Sequence, residues 1–432
     1  MKNCKFVGFM GQCARNDRIM AQSKKINKDK SYTFIDLFAG CGGLTEGFYK
    51  AGYKALAHVE IDHLCCETLK NRMRHYGYSE RVADNATIET DITRDDINDV
   101  ISKPVGKNTV DLIIGGPPCQ AYSTSGRARD EHGMKLDPRN YLFENYVKVL
   151  NHFKPKIFVF ENVTGLLTAT IDGHKIVDKV FAALGENYNV TRSPKLIVFN
   201  TANYGVPQIR KRVIIIGVRK DLNIDVEEIY KSIAKTHYDP EMPDSKRKGL
   251  LPFATVRDAI GDLPPVIAGA RTMELPYAPV IDSAFKKWVC FDGEDSINAH
   301  ITRWQNATDT LRYQEMARNG WTFAELRQHR PDLNHDHARV FSNSYTVQFW
   351  DMPARTIIAH LCKDGNQFIH PDYTQGRSIS VREAARLQSF PDDFEFAGAM
   401  SSQFKQIGNA VPPLFANIIA EKIKTVLKEN NL

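Results

Sequence analysis

The 432-residue sequence contains no CxxC pair and no Cys/His cluster at zinc-finger spacing, although it has eight cysteines, at 4, 13, 41, 65, 66, 119, 290 and 362. Neither a disulfide framework nor a structural metal is expected from that distribution. Cys65 and Cys66 fall in an apolar helical stretch, residues 64–69, and read as core thiols rather than a redox pair. No run approaches the ~18 apolar residues of a membrane span, and the short apolar stretch at residues 6–10 is a poor signal-peptide core. No membrane contact is expected, and the cytoplasm is the default address. Internal repeats are lacking too. An excess of charge is missing from most of the chain, since residues 31–432 hold 49 basic and 49 acidic side chains. The net charge of +6 resides in residues 1–30, with eight Lys/Arg against two Asp/Glu. Such an extension is either a basic arm for DNA phosphates or a solvated tail.

What is present is globular: 42% hydrophobic and 25% charged residues, in a chain long enough for one large domain and a smaller one. From Tyr32 onward, short apolar runs (TFIDLF, KALAHVEI, ATIETDI, DLIIGG, KIFVFEN, RVIIIGV) alternate with amphipathic segments. Helices are expected over residues 65–74, 141–153 and 171–184. Six runs separated by helices predict a parallel, doubly wound α/β sheet, whose ligands bind beyond the carboxyl ends of the strands.

After Arg219 the sequence becomes charged and interrupted by proline (DPEMPDSKRKGLLP, GDLPPV, ELPYAP), which marks a second domain or a large insertion. Regularity returns at Ser380, where SVRE forms a capping box, Ser380 with Glu383, for a helix through Leu387. A last helix follows Pro412, with Leu414, Ile418, Ile419, Ile423 and Leu427 on one side. The expected organisation is a basic extension (1–30), a catalytic domain (31–221), a smaller recognition domain (222–375) and a segment returning to the catalytic domain (376–432).

The first run ends in DLFAGCGGLTEGF, a glycine-rich turn where a nucleotide-like ligand can approach the backbone. GCGG departs from GxGxxG spacing, which disfavours a dinucleotide-dependent dehydrogenase. The second run ends at Glu60, an acceptor for ribose hydroxyls, and the third near Asp91, an acceptor for an adenine amino group. The fourth leads into PPCQ, which puts Cys119 on a rigid loop at the ligand edge. A thiol there is placed for attack, although an ordinary thiol, with a pKa of about 8.5, is mostly protonated at neutral pH. The fifth supplies Glu161, in FENV, at the same edge.

At this point the residues resemble the cytosine-5 DNA methyltransferases of bacterial restriction-modification systems. DLFAGCGG, Glu60, Asp91, GGPPCQAYS, DPRNYLF, ENV, QIRKR, REAARLQSFP and QIGNAVPP match that family's successive motifs, in order, across residues 34–413. The resemblance implies a Rossmann-like, S-adenosylmethionine-dependent methyltransferase domain with a smaller target-recognition domain. It implies that Phe38, Gly40, Cys41, Gly43, Glu60, Ile61, Asp91, Ile92, Pro118, Leu142, Asn409 and Val411 border the methyl donor. It implies Cys119 as nucleophile and Glu161 as acid, with Arg210 and Arg212 as the arginines of QxRxR. Gln120 and Ser123 would lie near the DNA or the flipped base.

Such chemistry explains the residue types. Carbon 5 of cytosine is too poor a nucleophile to take a sulfonium methyl unaided. Thiolate addition at carbon 6, with Glu161 acting at ring nitrogen 3 and Arg212 steadying the carbonyl oxygen, makes carbon 5 enamine-like. None of this can happen inside a base stack, so the nucleotide must be extruded. No metal is required. Sequence choice is expected from residues 222–375, which end near MPARTIIAH, whose Thr356 and Ile357 resemble the family's recognition signature. Duplex DNA is the expected partner, bound by a monomer in the bacterial cytoplasm at the nucleoid, either with a cognate restriction endonuclease acting separately or as an orphan enzyme without one. Two alternatives stay open: a tRNA cytosine methyltransferase, against which the large insertion before REAARLQ argues, and a binding protein with a decayed site.

Overall fold

The structure is a computed structural model that describes residues 31–118, 141–171, 173–272, 274–291, 293–334 and 345–432. Cys119, Gln120, Ser123 and the basic extension lie outside the described residues.

Five of the apolar runs become parallel strands: β1 (Thr33–Leu37), β2 (Lys54–Glu60), β3 (Thr87–Glu89), β4 (Leu112–Gly115) and β5 (Ile157–Val163). Phe34, Ile35, Ile113, Ile114, Phe158 and Val159 are completely buried, as expected of strands covered on both faces. The sheet is completed by β6 (Tyr188–Val190), β7 (Val198–Asn200) and β8 (Lys211–Arg219), in the order β3-β2-β1-β4-β5-β8-β6, with β7 also paired to β8. The sixth run, β8, corrects the expectation of a wholly parallel sheet: it is antiparallel to β5, β6 and β7. The long connection from residue 164 to 210, which contains a helix and the short strands β6 and β7, returns the chain to the ligand edge, so β8 starts there and runs back.

Strand order reverses between β1 and β4. This is the switch point of a doubly wound sheet, where the loops after two neighbouring strands part and leave a crevice. Helix α1 (Gly43–Lys50) follows β1, α2 (His63–His75) follows β2, and α3 (Ile97–Val105), α4 (Leu142–Phe153) and α5 (Ile176–Leu184) follow in turn. The start of α5 is a second correction. Residues 171–175 belong to a short hairpin, Thr170–Ile171 with His174–Lys175, that turns at Gly173 (φ 80°) before the helix begins.

A second hydrophobic core gathers Val256, Phe285, Val289, Ile301 and Ile357 with Ala384, Leu387, Phe390, Phe404 and Ile407. The capping box of Ser380 and Glu383 is present and starts α6 (Val381–Leu387), which packs here with α7 (Met400–Asn409). Of the segment expected to return to the sheet, it is α8 (Pro413–Glu429) that packs in the sheet core, through Phe415, Ile419, Ile423 and Leu427. A third, smaller core holds Tyr313, Met316, Phe323, Tyr345 and Ile369. The second core is fastened to the sheet domain by Arg72, which forms a bidentate pair with Glu46 (2.7 Å to each oxygen), meets Asp393 at 3.1 Å and lies over the Phe394 ring.

Candidate active site

The loop after β1 forms one wall of the crevice. Phe38 holds φ at 58°, a left-handed conformation costly for an aromatic residue and typical of ligand-binding turns. Gly40, also left-handed, has open space where a side chain would project, whereas a Cβ on Gly43 would come 2.4 Å from the Val411 carbonyl oxygen. Gly43 therefore lets α1 close against the start of α8. Glu60, at the end of β2, accepts the Gly40 N–H on Oε2 (2.8 Å) and those of Ile61 and Asp62 on Oε1 (2.8 and 2.9 Å). A carboxylate offers about four acceptor sites, so about one remains for a ligand hydroxyl. Beside it the Ile61 side chain is 65% exposed, an apolar plate at the crevice rim. Asp91 is exposed, and its Oδ1 accepts from the backbone and hydroxyl of Thr93.

Other expected donor contacts are constrained by burial. Cys41 is buried and donates its thiol to the Gln406 carbonyl at 3.5 Å, and burial pushes that thiol well above its usual range. Ile92 and Val411 pack in the sheet core. Leu142 is half-buried, and Pro118 and Asn409 are exposed.

The residues expected to carry the chemistry lie at the ends of β4 and β5. A Cβ on Gly116 would stand 2.8 Å from Glu161 Oε2, so the Gly-Gly-Pro-Pro turn passes directly over that carboxylate on its way to Cys119. Asn162 holds the turn by donating from Nδ2 to the Pro117 carbonyl (3.3 Å). The other Glu161 oxygen is ion-paired to Arg212 Nε at 2.9 Å, both side chains being largely buried. Burial lowers the Arg212 pKa, and Glu161 opposes that shift.

Arg210 does something different. It is completely enclosed and spends its terminal nitrogens on the carbonyls of Ile357 (2.7 Å) and Gly408 (3.3 Å), while its Nε has no partner among the described residues. The guanidinium thus clamps the recognition signature and the end of α7 to the start of β8. Ile357 corrects the expectation of a DNA contact: its side chain is fully buried in the second core, and its N–H binds Gln208 Oε1 at 2.8 Å. Thr356 donates its hydroxyl to the Ile209 carbonyl (2.6 Å), which ties the signature to the segment just ahead of β8.

Sequence reasoning passed over two glutamines. Gln208 Nε2 donates to Gln388 Oε1 (2.7 Å), and Gln388 Nε2 donates to the carbonyls of Ile407 (2.7 Å) and Ala410 (3.1 Å). Their side-chain amides join β8, α6 and the Asn409–Val411 turn. The available signal was position, since each sits inside a matched motif and a buried amide requires partners.

Among the described residues, one trio could present ligands to a metal: Cys290, Glu294 and Asp392, with ligand atoms within 4.8 Å of one another. The Arg386 guanidinium already supplies a cation there, donating to Asp392 at 2.6 Å and to the Cys290 sulfur at 3.5 Å.

Comparison with known proteins matches the family model of the C-5 cytosine-specific DNA methylases over residues 32–425. The chain belongs to this DNA methylase family. It is 33% identical to Type II methyltransferase M.Bpa9945I of Bacillus paralicheniformis, over 91% of this chain and 98% of that protein. It is also 33% identical to Type II methyltransferase M.DdeI of Desulfomicrobium norvegicum, covering 92% and 90% respectively. Among solved structures, a prophage-encoded E. coli chain described as a DNA modification methyltransferase superposes with a TM-score of 0.65 at 24% identity, covering 92% of this chain and all of that one. Entamoeba histolytica methyltransferase EhMeth superposes at 0.52 with 11% identity, over 93% and 99%. These two likenesses concern the fold. The methylase is thus a DNA (cytosine-5) methyltransferase on a Rossmann-like sheet, and its family and fold imply S-adenosylmethionine as methyl donor. None of its described helices is long and apolar enough to cross a membrane.

Proposed function

We propose that this methylase modifies one cytosine within a specific duplex sequence by way of a covalent Cys119 adduct, as the modification enzyme of a type II restriction-modification system. The observation that carries the mechanism is the Glu161 carboxylate, paired with Arg212 on one oxygen and passed closely by the Gly116 backbone on the other. A cytosine extruded over β4 and β5 would meet Glu161 at its ring nitrogen 3, with Arg212 beside its carbonyl oxygen. The Pro-Pro turn would deliver the Cys119 sulfur to carbon 6. To act on nitrogen 3, Glu161 must hold a proton as the thiolate adds, and Arg212 stabilises charge that develops on the ring. S-adenosylmethionine supplies the methyl group to carbon 5. Loss of the carbon 5 proton and expulsion of the Cys119 thiolate then restore the aromatic ring.

Support for the donor site comes from the residual acceptor capacity of Glu60, the exposed Ile61, the open side of Gly40 and the strained Phe38. Arg210 is assigned a positioning role, because its terminal nitrogens are consumed by main-chain carbonyls. Target choice is assigned to residues 222–375, with Thr356 tying that region to the segment just ahead of β8. The type II role, with an endonuclease acting separately, is supported by the names of the relatives.

The test is expression in a methylation-free host followed by bisulfite sequencing, alongside methyl-transfer assays on duplex DNA and tRNA. 5-Methylcytosine should be present in a single sequence context of the DNA and absent from a Cys119→Ser control. Methyl incorporation into tRNA alone, or none in either substrate, would refute the reading.

A further inference from the structure

Beside the start of β8, on the side away from β5, is a cavity of about 370 Å³ lined by Lys195, Lys211 and Lys235, together with Asn200, Asn203 and Tyr230. No acidic residue lines it. Among the described residues none of the three ammonium groups makes an ion pair or a side-chain hydrogen bond. The Tyr230 hydroxyl has no donor left for a ligand, because it accepts the Ile216 N–H (2.6 Å) and donates to the Ile214 carbonyl (3.0 Å). Asn200 uses Oδ1 to accept the Ala202 N–H (3.3 Å), which leaves its Nδ2 donor unspent. The cavity therefore offers three cations and amide donors, with no acidic side chain among the described residues that line it.

Its place in the fold says what it faces. Lys211 immediately precedes Arg212, the partner of Glu161, and is paired with Asn200 across β7 and β8. Neighbouring strands lie about 4.8 Å apart, so the cavity begins within one or two strand spacings of the catalytic carboxylate, at the ligand edge of the sheet. A duplex whose cytosine enters over Glu161 continues past this edge, and its phosphates are the anions at hand.

We propose that Lys195, Lys211 and Lys235 form a second DNA-contacting site that binds backbone phosphates flanking the recognition sequence on one side. The inference rests on the duplex-DNA activity above and adds a footprint beyond the bases that are read. Phosphate contacts of this kind position the duplex and carry no sequence information themselves.

The test compares the wild type with the Lys195→Gln/Lys211→Gln/Lys235→Gln variant, all three side chains being exposed, on duplexes lengthened on one flank at a time. Affinity for DNA is measured over a salt series. The wild type should gain affinity when one flank is extended and not the other, and the triple variant should lose that gain. Its slope of log affinity against log salt should become shallower by about 0.9 for each phosphate contact removed. S-adenosylmethionine binding, the methylated sequence and turnover at saturating DNA should be unchanged. A control variant, Lys54→Gln/Lys103→Gln/Lys107→Gln, removes the same charge from the opposite edge and should retain the flank effect. Equal gains from both flanks, an unchanged slope in the cavity variant, or an equal loss in the control would overturn the proposal. Normal methylation with no flank effect refutes this site alone, whereas absence of DNA methylation refutes the reading beneath it.

Discussion

Glu60 to glutamine is the sharpest single perturbation of the donor site, because the change keeps the shape of the side chain and alters only its hydrogen-bonding character. The carboxylate ties two loops together: Oε2 takes the Gly40 N–H of the loop after β1, and Oε1 takes the Ile61 and Asp62 N–H groups of the loop after β2. A carboxamide can keep its oxygen toward Ile61 and Asp62, but its NH2 then faces the Gly40 N–H, donor against donor. One hydrogen bond to a charged acceptor is lost, worth about 1.5–3 kcal/mol. The remaining acceptor site for a ribose hydroxyl loses its negative charge as well. The Gly40 bond is lost in the free and the bound protein alike, so the effect on binding comes from the ligand hydrogen bond, which drops from about 1.5–3 to about 0.5–1.5 kcal/mol; at 1.4 kcal/mol per decade, S-adenosylmethionine affinity should fall about 5- to 10-fold. Calorimetric titration of the donor into wild type and variant measures this directly. Circular dichroism checks the fold, and binding of DNA without donor should be unaffected. A dissociation constant within twofold of wild type, in a folded variant, would show that Glu60 does not organise the donor site.

Two further substitutions probe the interior. Arg72→Met should cost about 3–5 kcal/mol in denaturant unfolding, because it strands the Glu46 carboxylate, fully buried and otherwise held by the Tyr76 hydroxyl. A loss under about 1 kcal/mol would mean that the pair is inessential to domain docking, as an ordinary surface salt bridge would be. Asp36 is buried beneath the loop after β1, accepts the Thr45 hydroxyl at 2.5 Å, and has its carboxyl pushed up to about 8 by burial, against the opposing effect of that hydrogen bond. A carboxyl raised in the folded state gives stability that is complete below its unfolded value near 3.8 and is lost as pH rises to about 8. His58, which meets Thr45 at 3.4 Å and Tyr49 at 3.0 Å, is lowered to about 3 by burial and acts in the opposite sense, losing stability as pH falls below 6.5. Between pH 6.5 and 8 the Asp36 contribution stands alone of the two, so Asp36→Asn should flatten the decline in melting temperature there. An unchanged pH profile would refute the burial argument.

The parts of the protein that were legible in the sequence are those where chemistry sits at strand ends. The runs ending at Leu37, Glu60, Gly115 and Val163 carry both the apolar signal of a buried strand and a candidate site residue just beyond or within it, so the fold and the place of the candidate site were read together. Direction was not legible, since an apolar run such as RVIIIGV is the same in a parallel or an antiparallel strand, and the long connection before it decides. Burial inside a motif was equally hidden. Ile357 and Arg210 stand in segments that match the family, yet one is sealed in the second core and the other clamps carbonyls, because their side chains point inward from the seam between the two parts. The packing of α6 and α7 against Val256 and Phe285 joins residues about 100 or more positions apart, which periodicity cannot reveal.

The central claim is that the Cys119 sulfur bonds to carbon 6 of the target cytosine. The most direct test is a duplex carrying 5-fluorocytosine at the methylated position, incubated with the enzyme and S-adenosylmethionine and analysed by peptide mass spectrometry. Fluorine replaces the proton that must leave, so the adduct cannot resolve. The account predicts a donor-dependent, irreversible complex whose modified peptide maps to Cys119. No trapped complex, or an adduct on any other cysteine, would contradict it.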